Sequence, residues 1–234
     1  MAEVLTGIPV EYELAPLLQR LRVPEDTSDA AAVRELADRV RDVVSPKGLY
    51  DICYVAERKG DAVQIGDVVF ASRVLRVNLE DAHRVFPFVA TCGRELDEIE
   101  GVRGDPLREY WLEEMKVMAL RAASARVREE IETRYRPGDL SSMSPGSLKD
   151  WPITQQAQLF AVLGNVEETI GVRLTGSFLM LPMKSVSGIY FPTERSFESC
   201  QLCPRQGCPG RAAPYDPSLW EERYGKTAGS CSCR

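Results

Sequence analysis

The stretch Gly171-Val-Arg-Leu-Thr-Gly-Ser-Phe-Leu-Met-Leu-Pro-Met-Lys-Ser-Val-Ser-Gly-Ile-Tyr-Phe191 decides how the rest of the chain is read. Two short apolar runs flank a Pro-Met-Lys-Ser turn. Leu174, Phe178 and Met180 belong to the first run, and Val186, Ile189 and Tyr190 to the second. Pro182 has no N–H for a ladder and so ends the first. Ser185, Ser187 and Gly188 are small and leave backbone open to a neighbour or a ligand. The pattern is read as two buried strands whose connection faces a functional surface. On pattern alone, a plain core hairpin is the simpler reading.

Outward from this stretch, the composition is that of a globular protein, with 44% hydrophobic and 27% charged residues in 234. A net charge of −6 and the absence of a basic run argue against a nucleic-acid binder. No apolar run of about 18 residues and no signal-type segment after Met1 occur, so a soluble cytoplasmic protein without a membrane contact is expected. One histidine, His83, removes most His-based zinc and triad chemistry. Seven cysteines are many, and five of them fall in the last 35 residues. In a reducing compartment that clustering suggests metal rather than disulfides.

Towards the N-terminus, Ile8 to Leu14 and then Leu17, Leu18 and Leu21 form an opening segment closed by Pro24. Ser28 is the expected N-cap of a helix with Val33, Leu36, Ala37 and Val40 at helical spacing, stopped by Pro46-Lys47-Gly48. Ile52, Tyr54 and Ala56 alternate as a strand, Lys59-Gly60-Asp61 is a hairpin turn, and Val63 and Ile65 resume the strand pattern. Asp67 to Leu75 fits strand and helix alike. Residues 85–92 are a buried strand running into a helix start at Gly93-Arg94, where Thr91 can cap. An anion at that start and a lowered Cys92 thiol are both conceivable there. A capped core strand is the plainer reading, and Cys92 has no visible base partner. Asp105-Pro106 opens the longest helix, whose stripe is read as Leu107, Trp111, Met115, Met118, Ala122 and Ile131. Small residues around Ala122 to Ala125 let another backbone approach. Residues 137–152 read as a long turn-rich loop of binding type, with disorder as the alternative. A helix from Ile153 to Leu163 follows and stops at Gly164-Asn165.

The opening stretch resembles the signature of the reactivation domain of cobalamin-dependent methionine synthase. That family carries Leu-Thr-x-Ser-x-x-Met-x-Pro, then Ser-Val-Ser-Gly and an aromatic pair. The matching residues are Leu174, Thr175, Ser177, Met180, Pro182, Ser185, Val186, Ser187, Gly188, Tyr190 and Phe191. The upstream order agrees: a long helix, the Ser144-Pro145-Gly146 loop, a helix, then the signature. The resemblance covers about 137–191 well, 49–136 less well, and nothing beyond.

It implies an α+β fold: a C-shaped domain with a twisted antiparallel sheet and flanking helices, over residues 1–195. It implies an activation subunit of a methyltransferase, acting in trans. The partner is a cobalamin-binding methyltransferase or methionine synthase subunit, with a reductant protein alongside, and oxidised cobalamin on the partner is reduced and remethylated from S-adenosylmethionine. Carried over residue by residue, Ser144, Pro145 and Gly146 line the S-adenosylmethionine groove through backbone groups, Tyr190 lies against the adenosyl part, and Ser187 and Gly188 belong to the wall. Ser142 and Ser147 depart from the family's usual Arg and Tyr, and Ser124 stands near an expected acidic residue. Arg at position 142 would be the natural carboxylate clamp. A corrinoid-docking module without S-adenosylmethionine therefore stays open.

Residues 196–234 form a cysteine-rich extension. Cys200, Cys203 and Cys208 read C-x2-C-x4-C, and Cys231 and Cys233 follow. Four of these thiolates could hold an iron–sulfur cluster or a zinc ion. Unmetallated thiols are the third alternative. The Cys-Pro pairs and a corrin-reduction setting lean towards the cluster, which would make the chain an electron-transfer protein.

Overall fold

The structure is a computed structural model describing residues 2–194, 196–208 and 211–225. Its strands are β1 (Glu3–Leu5), β2 (Lys47–Tyr50), β3 (Cys53–Lys59), β4 (Ala62–Ile65), β5 (Val68–Ala71), β6 (Arg84–Thr91), β7 (Leu140–Met143), β8 (Arg173–Leu174), β9 (Met180–Leu181) and β10 (Ser185–Pro192). Its α-helices are α1 (Leu14–Leu21), α2 (Ser28–Val43), α3 (Arg73–Asn78), α4 (Pro106–Tyr135), α5 (Gln156–Leu163) and α6 (Val166–Ile170).

The fold is mixed α+β around an antiparallel sheet, as expected. Its centre is β6. One edge of β6 pairs with β10, from Ser185 opposite Thr91 to Tyr190 opposite Phe86. The other edge pairs first with β2 and then with β3. Pro87 is tolerated in this central strand because it sits where β2 gives way to β3. There its carbonyl accepts from Asp51 N–H, and the return bond to Asp51 is the one its missing N–H cannot make, so the ladder is interrupted between β2 and β3. β10 continues outward to β7, from Ile189 opposite Met143 to Pro192 opposite Leu140.

Alternation along the strands sorts the two faces of the sheet. Phe86, Phe88 and Ala90 of β6 and Tyr190 of β10 pack with Ala123, Val127 and Ile131 of α4. Leu49 and Val89 pack instead with Leu163, Val166 and Ile170 from α5 and α6. Ile189 and Phe191 join Met143, Trp151 and Leu159 in a third cluster. The N-terminal helices, α2 above all, close over the first half of α4.

Several local expectations change. The apolar runs of 171–191 do not pair with each other as two buried strands. The first makes the small hairpin β8–β9, in which Leu179 is 58% exposed, and Met183 beyond it is 79% exposed. The second is β10, held between β6 and β7. Pro182 does end the first run, since β9 stops at Leu181. The cap of α2 is Thr27, whose hydroxyl accepts from Ala30 N–H, so Ser28 is the first helical residue. Gly48 belongs to β2 rather than to a stop signal. A Cβ there would lie 2.4 Å from Val127, so its absence lets α4 lie close on the sheet. The buried stripe of α4 runs Trp111, Met115, Ala119, Ala123, Val127 and Ile131, while Leu107 is exposed. The ambiguous 67–75 segment is both things: β5, then α3 capped by Ser72. The 137–152 loop contains a strand, β7, with Leu140, Ser141 and Met143 buried. Among the described residues no helix is long and apolar enough to cross a membrane.

Candidate functional site

The family-like residues meet at one end of β10. β7 stops at Met143, and the chain turns through Ser144-Pro145-Gly146, where Gly146 donates to Trp151 O at 2.7 Å and Ser147 Oγ donates to Ser144 O at 2.6 Å. Gly146 has φ +84°, a conformation that favours glycine. Past this turn β10 has β6 on one side and no strand on the other over residues 185–187. Cys92 N–H donates to Lys184 O at 3.0 Å, so even-numbered residues of β10 aim their backbone groups at β6. The backbone groups of Ser185 and Ser187 therefore face the open side, where Pro145 has no N–H to offer them.

A groove of about 270 Å³ occupies that open side. It is walled by Ser144 and Pro145, by Ile153 and Gln156 at the start of α5, by Phe178, Leu179 and Met180 of the hairpin, and by Met183 with Ser185, Val186 and Ser187. Ser185 Oγ is committed to Pro182 O and Thr91 Oγ1, each at 2.8 Å. Ser187 is 2% exposed and its Oγ has no hydrogen-bond partner. Buried hydroxyls ordinarily find one.

Of the residues named from the sequence, the groove collects Ser144, Pro145 and Ser187. Gly146, Gly188 and Tyr190 stand next to it. Gly188 lies against Met143 O and Ser144. Tyr190 is 7% exposed and stacks on Phe88, with ring centroids 4.3 Å apart, on the α4 face. Ser142 pairs with Tyr190 across the ladder and is not part of the groove wall. Gln156 and the hairpin residues Leu179 and Met183 were not singled out in sequence. The place of Met183 beside Pro182 was the available signal, and Gln156 and Leu179 carried none.

An ion cluster ties the groove's lower rim to α4. Lys184 Nζ lies 3.0 Å from Glu113, and Lys116 bridges Glu113 and Asp97 at 3.1 and 2.6 Å. Burial alone would raise the Glu113 carboxyl, but hydrogen bonds from Lys184 and Lys116 overcome it and hold the group below its ordinary value. Cys92, fully buried nearby, goes the other way. Burial pushes its thiol up to about 12 despite Lys116, the reverse of the lowering that a helix start would give. The turn after it, Glu95–Glu98, is a 3₁₀ turn carrying Glu95, Asp97 and Glu98, which repels anions. A thiol reagent at about pH 8 is therefore expected to leave Cys92 unmodified in the native protein. Labelling of Cys92 within minutes, read by peptide mass, would contradict this.

In the cysteine segment, Arg211 donates to the carbonyls of Cys200, Cys203, Arg205 and Ala213, and Ala212 N–H lies 3.4 Å from Cys200 Sγ. Cys200, Cys203 and Cys208 are half-buried, and Cys231 and Cys233 lie outside the described residues. Among the described residues no three His, Cys, Asp or Glu side chains gather into a metal-binding group. Phe197 and Tyr224 flank this segment and are fully buried in the core.

Residues 144–201 match the family described as the activation domain of vitamin B12-dependent methionine synthase. The fold is similar to that in the crystal structure of the MetH reactivation domain bound to AdoHcy. The TM-score is 0.60 at 17% identity, covering 85% of this chain and 81% of that one. The chain thus has the fold of a methionine synthase reactivation domain over 85% of its length, while the family match in sequence covers 144–201.

Proposed function

We propose that this protein reactivates a cobalamin-dependent methyltransferase, methionine synthase being the leading case, by docking in trans on the domain that carries the corrinoid. One observation carries the reading. The segment matching the activation-domain family, 144–201, includes every residue that walls the groove. The similar solved domain holds AdoHcy, which supports an adenosyl ligand here. S-adenosylmethionine, when bound, supplies a methyl group on a sulfonium, and the cobalamin belongs to the partner.

The chain's own part is to position. Ser187 offers an uncommitted hydroxyl, Ser144 and Pro145 form the facing wall, and the free edge of 185–187 offers backbone donors and acceptors. Gly146 and Gly188 hold turn and strand at close spacing, and Tyr190 stiffens the strand from its other face through Phe88. Leu179 and Met183 give an exposed apolar rim suited to a partner surface. The protein acts in the cytoplasm as an activation subunit, with a reductant protein supplying the electron.

Residues 1–195 serve as the activation-like domain and 196–234 as the cysteine-bearing extension. There Cys200, Cys203 and Cys208 with Cys231 or Cys233 would hold an iron–sulfur cluster or zinc. The Ala212 N–H facing Cys200 Sγ suits a thiolate at that position. A second reading, a docking module without S-adenosylmethionine, is favoured by Ser142 and Ser147 in place of the family's Arg and Tyr.

The test uses a purified cobalamin-dependent methionine synthase lacking its own reactivation domain, poised with cobalt(II), plus a low-potential reductant. Addition of this chain and S-adenosylmethionine is expected to restore the methylcobalamin spectrum. Return at the same rate without the chain would refute the reading. Return with the chain and reductant, and methyl donation from methyltetrahydrofolate alone, would favour the docking module.

A further inference from the structure

We infer that the groove, taken as the adenosyl site proposed above, recognises the uncharged nucleoside portion of its ligand and leaves the amino-acid end unclamped. A neutral 5′-thioether nucleoside such as 5′-methylthioadenosine is then a full ligand. No residue walling the groove carries a charge. Lys184, between the wall residues Met183 and Ser185, is committed to Glu113 on α4 at 3.0 Å. Ser142, where an arginine would clamp a carboxylate, stands on β7 outside the wall. A zwitterion brought into such a groove loses water without meeting a counter-charge.

What the groove does offer is neutral. Ser187 Oγ is buried and unpartnered. Gln156, 2% exposed, adds an uncharged amide to the wall. The free edge of 185–187 adds backbone N–H and C=O groups. These match a purine or ribose, which presents neutral donors and acceptors on a flat apolar body. The volume agrees: 270 Å³ lies just below the ~300–1,000 Å³ usual for whole small-molecule sites, in keeping with a groove that holds part of its ligand and leaves the rest in solvent.

Calorimetry on the full chain tests this with S-adenosylhomocysteine, 5′-methylthioadenosine and free methionine. The two nucleosides are expected to bind with Kd values within about threefold of each other. Their binding should change little between about 50 and 300 mM salt, and methionine should give no heat. Ser187→Ala is expected to weaken both nucleosides at least about fivefold, the loss of one neutral hydrogen bond, with the circular dichroism spectrum unchanged. S-adenosylhomocysteine binding more than about tenfold tighter than 5′-methylthioadenosine would overturn the inference while leaving the adenosyl site standing. Equal binding by Ser187→Ala and the native chain would overturn the role of Ser187. Binding of neither nucleoside would remove the adenosyl reading itself, and the inference with it.

Discussion

Gly188→Ala is expected to lower stability by about 3 kcal/mol, the upper end of ordinary overpacking, and to abolish ligand binding in the groove. The added Cβ would lie 2.5 Å from Met143 O, 2.9 Å from Ser144 Oγ and 3.0 Å from the Phe88 ring. The first contact is a backbone carbonyl of the paired strand, so no rotamer change relieves it. β7 must move off β10 at its last pair, Ile189 opposite Met143, and the Phe88 ring must shift in its stack on Tyr190 as well. Both movements displace the Ser144-Pro145 turn that walls the groove. For a chain of this size the loss is a fall of about 6–12 °C in Tm. Gly176→Ala is the control from the same signature. A Cβ there meets nothing within 4 Å and the residue has no positive φ, so no measurable change is expected. Equal melting temperatures for the two variants would show that the close approach at Gly188 is not a constraint.

The contrast between these two glycines shows what the sequence could and could not reveal. The alternation that made β10 a strand was legible because Val186 and Tyr190 face α4 while Ile189 and Phe191 face the other side. The partners of β10 were not legible. β6 lies about a hundred residues upstream, and pairing over that distance leaves no local period. β7 was hidden because Leu-Ser-Ser-Met carries two serines inside a turn-rich segment. Ser141 is buried all the same, its hydroxyl satisfied by Phe197 N–H at 2.8 Å, a partner 56 residues away. The hairpin β8–β9 was misjudged for the opposite reason. Its apolar residues suggested burial, whereas Leu179 and Met183 stand exposed at the groove's rim. Within the site, Ser144, Pro145 and Ser187 could be found from the signature. Gln156 could not, because a glutamine at a helix start carries no sign of which cavity it faces.

Tyr224→Ala is expected to cost about 3–5 kcal/mol, as large as any aromatic truncation in this core, although the residue lies in the cysteine-bearing extension. Its ring is fully buried and packs edge-on to Phe197 at 6.3 Å. Its hydroxyl donates to Asn78 Oδ1 at 2.8 Å, and Asn78 Nδ2 in turn donates to Met143 Sδ at 3.3 Å. Truncation therefore leaves both a cavity and a buried amide oxygen without its donor. Tyr224→Phe separates the two effects and should cost about 1–2 kcal/mol, the hydrogen bond alone. Because Met143 is the residue from which the chain turns into Ser144-Pro145, this line of contacts runs from the extension to the groove wall. A chain ended after residue 195 should accordingly melt far below the full-length protein and bind its ligand more weakly, even with no metal in the extension. If the shortened chain melts with the full one, the residues after 195 are an appendage. If it melts early, they belong to the domain's core, and the loop of Cys200, Cys203 and Cys208 is held to the reactivation fold through Phe197 on one side and Tyr224 on the other.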